Sequence, residues 1–292
     1  MPFLENDKLK VELNPLGAEI VSIIGKEDNI NYMWKRDKSL WGSSAPILFP
    51  IVGAVNNDTY RINAQEFHLT QHGFARHNVF NTEQVSPVRV DFTLESNDKI
   101  ITQYPYQFKL VVSYELDGCS LSCTCKVINT DSQDIYFQIG GHPAFACPFI
   151  DGESSDDYYI EFSQKETLNQ KVLLPEKKCM SYETRPFFEN ERRFFVRQSL
   201  FANDAIVFKN FKSQTVSLKS INHDKAIHMT MTGFDHLGLW ASKHVGGLLA
   251  IEPWVGHIDY EGFAGEFKEK ESVVELAPDN DYQVNFTITI DM

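Results

Sequence analysis

Four short stretches interrupt otherwise strand-like sequence with side chains able to move protons or hold a polar ligand. The first, "LTQHGFARHNVF", sets His72 and Arg76 around Gly73. In the second, "FQIGGHPAF", His142 follows a Gly-Gly pair that lets backbones approach closely and precedes Pro143, which favours an extended entry. The third, "FANDAIVF", places Asp204 just ahead of the apolar alternation Ile206, Phe208. In the fourth, "LLAIEPWVGHIDY", Glu252 closes a strongly apolar run and Trp254 follows at once. A carboxylate seldom sits in such a run without a partner. Beside a histidine it would form an acid/base pair whose pKa values are pushed apart, which is the chemistry Glu252 first suggests.

Each residue also has a plainer reading. A lone histidine in a β protein is more often a satisfied core or rim residue, and His77, His223, His228, His236 and His244 are read that way. Asp204 suits an Asx turn opening a strand, and Trp254 suits a core. The chain has no HExxH, no paired CxxC and no close His/Asp triplet, so no metal site is predicted. Neither GxGxxG, GxxxxGK[ST] nor GxSxG occurs, which removes the usual dinucleotide, P-loop and hydrolase-elbow arguments.

The elements that must position these residues show a period of two rather than 3.6. In "YQFKLVVSYEL" the residues Tyr106, Phe108, Leu110, Val112, Tyr114 and Leu116 alternate with mostly polar partners, as in a half-buried strand. Asp117-Gly118 then reads as a two-residue hairpin turn. The returning "LSCTCKV" puts Cys123 and Cys125 on one face, which makes them small core residues of a reducing compartment. Similar alternation in "LKVEL", "VDFTL", "AIHMTM" and "YQVNFTITI" spans the chain, while "RPFFENERRFF" is the one segment read as a short helix. No linker or repeat divides the 292 residues. The expectation is a single domain over 1–292, all-β, a large antiparallel β-sandwich with few short helices.

Lys plus Arg number 27 against 40 Asp plus Glu, and the net charge of −13 argues against nucleic acid or an anionic membrane as partner. A neutral small molecule suits it better. With no run of 18 apolar residues and no basic, then apolar, amino-terminal segment, a cytoplasmic location is expected. Nothing in the sequence specifies an oligomeric state.

The ordered series "NPLGAEIVSI", "YMWKRDKSLWGSSAPILFPIVG", "HGFAR", "GGHPAF" and "IEPWVG" resembles the aldose 1-epimerase (galactose mutarotase-like) superfamily, within its bacterial mutarotase-related branch. The resemblance implies a twisted β-supersandwich with an open cleft for a pyranose, and interconversion of the α and β anomers of a free monosaccharide without metal or organic cofactor. Carried over by motif, it makes His142 the general acid at the ring oxygen and Glu252 the general base at the C1 hydroxyl. His72, Arg76 and Asp204 become substrate-binding residues, and Trp254 offers an apolar face to the sugar. The chain departs from many relatives at Ala54, where they carry arginine after the glycine of "FPIVG". A hexose 6-phosphate would need cations, for which Arg76 and Arg61 are the candidates; the free sugar ranks first. A sugar-binding protein that keeps the cleft without turnover is the remaining alternative. The loops "CPFIDGESSDDYYIEF" and "SKHVGG" are expected to shape specificity.

Overall fold

The computed structural model describes residues 1–241 and 247–292, so His244 and all but the last residue of "SKHVGG" lie outside the described residues. The alternation becomes antiparallel pairing. Phe108–Asp117 and Ser120–Asn129 pair along their whole length and bury every second side chain. Asp117 pairs with Ser120, so the two-residue turn is Gly118-Cys119, one position later than the sequence reading placed it. Gly118 takes φ +54, the left-handed conformation that the tight return needs. Cys123 and Cys125 face the core as free thiols, with Sγ atoms 4.0 Å apart.

Among the described residues, fifteen strands join one sheet. Its path starts at Ile47–Leu48, passes through Ile139–Gly141, Gly247–Val255 and His236–Trp240, and ends at Asn81–Ser86. The path doubles back on itself. Phe49, beside the first strand, packs its ring 5.0 Å from that of Phe108 near the far end. Gly141 lies so close to Phe286 of Asp281–Asp291 that a Cβ would come within 2.8 Å of the ring. Inward side chains of both layers thus meet in one apolar cluster, the arrangement of a sandwich. A separate sheet of Phe3–Glu5, Leu9–Asn14 and Glu19–Gly25 adds to this cluster through Leu9, Val11 and Ile20. Among the described residues, helix is confined to short 3-10 turns and the four-residue α-helix Asp98–Ile101. Among the described residues, no helix is long and apolar enough to cross a membrane.

The expected helix in "RPFFENERRFF" is instead part of the strand Cys179–Phe195, which pairs with Tyr158–Leu174. Tertiary partners decide this. Phe187 meets Phe208 at 5.0 Å and Phe188 meets Phe162 at 5.5 Å, contacts available to a strand whose bulged register turns adjacent rings inward.

Candidate active site

Gly247–Val255 is buried along nearly its whole length, and its alternation sends Glu252 and Trp254 to the same face. Glu252 is 1% exposed. On one side, Gly140 pairs with Trp254; on the other, Gly238 pairs with Glu252. A Cβ on Gly140 would stand 2.7 Å from indole Cδ1, and one on Gly238 would stand 2.5 Å from Cη2. These glycines form the trough in which the indole lies. The chain leaves Gly141 and docks by backbone bonds from His142 N–H to Pro46 O (3.1 Å) and from Ala144 N–H to Ser44 O (2.7 Å). His142 Nε2 then stands 3.2 Å from Glu252 Oε2, close enough for a proton to pass but without hydrogen-bond alignment.

"HGFAR" is a bend that holds a ring. His72 (φ +68) donates its backbone N–H to Gly53 O at 2.7 Å and accepts the Gly53 N–H on Nδ1 at 3.1 Å. Nδ1 is therefore the bare nitrogen, and the ring hydrogen sits on Nε2. Gly73 (φ +70) is required, because a Cβ there would lie 2.3 Å from Phe49 O. The His72 ring meets that of His142 edge-on at 5.6 Å. Arg76 follows in the 3-10 turn Ala75–His77, half-buried behind the site rather than on the cavity wall. Asp204, in left-handed backbone (φ +79) ahead of Ile206–Lys209, is exposed at the mouth.

His72, His142, Asp204, Glu252 and Trp254 all line one cavity of about 420 Å³. Four further lining residues had no signal in the sequence reading: Trp41, Trp240, Gln71 and His257. The Trp41 ring lies 4.8 Å from that of His142, tilted by 33°, and Trp240 meets the same imidazole edge-on at 5.7 Å. The wall opposite is apolar and includes Leu173, Pro175 and Met180 from the tip of the long hairpin. Trp254 packs with Leu48, Val52 and Val207 and also lines the cavity. Ala54 is buried at a small adjoining hollow, leaving no guanidinium there. Arg61 is remote, paired with Glu66 at 3.0 Å on the hairpin of Thr59–Ile62 and Gln65–His68. Among the described residues, no Lys or Arg lines the cavity. The histidines left as ordinary rim or core residues stay outside it: His77 is exposed, His223 contacts Glu153, His228 bridges Ser217 and Asp291, and His236 sits against Asp235.

Burial sets the electrostatics. It pushes Glu252 well above the ordinary glutamate value, reinforced by the negative charge of Asp204 and opposed by the Trp254 indole N–H and by Arg76. Burial, then the Arg76 charge, pushes His142 down to about 3. His72 is lowered by burial first, then by His142 and Arg76. Both shifts disfavour charge, the raised Glu252 favouring its protonated form and the lowered His142 its neutral one. The other buried glutamates are saturated instead. Glu166 accepts from Lys212 N–H, Ser213 N–H and Ser213 Oγ–H, and Glu19 from Ser44 and Ala45 N–H. Oε2 of Glu252, Nδ1 of His142 and Nε1 of Trp254 are buried without a well-aligned hydrogen-bond partner, the indole N–H reaching Glu252 only in a poorly aligned approach. All three residues line the cavity.

The model of the family described as aldose 1-epimerase matches residues 3–286. The chain belongs to the aldose 1-epimerase family. It is 34% identical over 295 aligned positions to the plasmid and chromosomal LacX proteins of Lactococcus lactis subsp. lactis, covering 98% of each chain. Among solved structures, it is similar to a galactose mutarotase related enzyme from Lactobacillus acidophilus, with a TM-score of 0.94 and 28% identity over 100% of this chain and 97% of that one. A galactose mutarotase-like protein from Lactobacillus casei gives a TM-score of 0.93 at 28% identity, covering both chains fully. The galactose mutarotase-like fold expected from the motifs is thus the fold of the chain.

Proposed function

We propose that this member of the family is an aldose 1-epimerase acting on a free hexose, with His142 as general acid and Glu252 as general base. The observation that carries the reading is the buried His142 Nε2 to Glu252 Oε2 approach of 3.2 Å, between two residues that line a cavity of about 420 Å³. Sugar hydroxyls entering the cavity replace the missing hydrogen bonds to the carboxylate, which favours transfer of the shared proton to His142. The carboxylate then takes the O1 proton while the imidazolium gives its proton to O5. The C1–O5 bond breaks and O1 becomes the aldehyde oxygen. Rotation about C1–C2 presents the other carbonyl face, and closure returns both protons by the reverse path. No net charge change is required of the site. His72, with its hydrogen on Nε2, Asp204 at the mouth and the Trp254 face bind and orient the ring, while Arg76 acts through its charge. The absence of Lys and Arg from the described cavity wall favours a free sugar over a sugar phosphate.

Exchange NMR on α-glucose and α-galactose tests this. Enzyme-dependent anomer exchange, reduced at least about a hundredfold in His142→Asn, is expected. Exchange no faster than buffer across hexoses and their 6-phosphates would refute the reading. Calorimetric sugar binding without exchange would make the chain a binding protein.

A further inference from the structure

Glu19 opens the strand Glu19–Gly25 and is only 4% exposed, yet the chemistry above does not use it. Its Oε1 accepts the backbone N–H groups of Ser44 (2.5 Å) and Ala45 (3.1 Å), and its Oε2 lies 3.2 Å from Nη2 of Arg36. Arg36 and Ser44 flank the loop that carries Trp41. Within that loop Arg36 Nε–H donates to Gly42 O (3.2 Å), and Trp34 Nε1–H donates to Trp41 O (2.8 Å). The segment just after the loop also holds the chain around His142, through His142 N–H to Pro46 O and Ala144 N–H to Ser44 O. One carboxylate therefore anchors both members of the Trp41–His142 ring contact.

The turn before Glu19 reaches the same place from the other side. A Cβ on Gly17 would lie 3.1 Å from Arg76 O, and the Glu19 charge acts on the Arg76 guanidinium. Burial alone does not single Glu19 out, since Glu166 is equally buried and equally bonded. The difference lies in what the bonded amides carry.

We propose that Glu19 is a positioning residue for proton transfer, fixing the Trp41–His142 ring contact so that Nε2 of His142 faces Glu252. Its removal leaves two amides and a guanidinium without their charged acceptor, which frees both ends of the loop. The proposal rests on the acid/base reading of His142 and Glu252, so its test has one arm that needs no turnover.

That arm is the NMR signal of the His142 ring protons, assigned by their loss in His142→Asn. The ring current of Trp41, 4.8 Å away, shifts these protons. Glu19→Ala should move them to the positions seen in Trp41→Leu, while Glu19→Gln, which keeps an acceptor oxygen for Ser44 and Ala45, should leave them near wild type. In anomer exchange, Glu19→Ala should lose roughly tenfold or more in kcat with little change in KM, and Glu19→Gln should restore most of it. Unchanged His142 signals in a folded Glu19→Ala protein would overturn the proposal. If that variant does not fold, Arg36→Met releases one end of the loop and should shift the same signals part of the way; signals at wild-type positions would again overturn it. A wild-type protein that exchanges no sugar defeats the functional reading, while the NMR arm still decides the role of Glu19.

Discussion

Glu252→Gln should separate catalysis from stability. The substitution keeps the shape of a side chain that is 1% exposed, so packing is preserved. Loss of a general base costs about a hundred- to ten-thousand-fold in rate, or roughly 2.7–5.5 kcal/mol of barrier. Stability should change in the opposite direction. The folded pKa of Glu252 is raised by burial and by Asp204 above the ordinary value of 4.5. The folded chain therefore holds the proton more tightly than the unfolded one. The stabilisation is fully present below 4.5 and is lost as pH rises through the folded pKa, at about 1.4 kcal/mol per unit of difference between the two pKa values. Glutamine does not ionise. Urea denaturation from pH 4 to 8 should show wild type and variant nearly equal at the acid end and the variant gaining as pH rises. A variant less stable than wild type at pH 7 would mean that the ionised carboxylate is a structural group. The open Oε2 would then have been misread.

Two further substitutions probe the supports of the site. Gly238→Ala would drive a Cβ to within 2.5 Å of the Trp254 ring edge and tip the indole into the cavity. KM should rise by roughly tenfold with a stability loss of about 1–3 kcal/mol, read from exchange kinetics and chemical denaturation. Lys270→Met would strand the carboxylate of Asp259, whose Oδ1 lies 2.7 Å from Nζ in a pair with both side chains under 5% exposed. A loss of about 3–5 kcal/mol is expected, with partial recovery in the double variant carrying Asp259→Leu; a single variant as stable as wild type would refute the pairing.

The strands were legible because a period of two leaves few alternatives over stretches such as 106–116. The hairpin turn was off by one residue, because Asp117 tolerates either role and only cross-strand pairing with Ser120 decides. "RPFFENERRFF" was misread because its aromatic partners, Phe162 and Phe208, are distant in sequence. In the candidate site, Glu252 stood out as a charge ending an apolar run, and His142 as a histidine between glycines and proline. Trp41 sits in an irregular loop and His257 follows the end of its strand, where alternation carries no information about direction. Glu19 was invisible as a partner. It binds backbone amides, and any sequence has amides at positions 44 and 45.

The two groups proposed to move protons hang from neighbouring tracks of the sheet, His142 just past Ile139–Gly141 and Glu252 within Gly247–Val255, while Trp41, Asp204 and the Leu173–Met180 tip reach the cavity from connections. Trp254 shares a strand with Glu252, but the rest of the recognition surface is carried outside it. The Asp204 connection and the Leu173–Met180 tip can lengthen, shorten or change composition, and so accept another sugar, without touching the strand that carries Glu252 or the 36–46 segment that holds His142. A change of reaction would require remodelling the buried sheet itself.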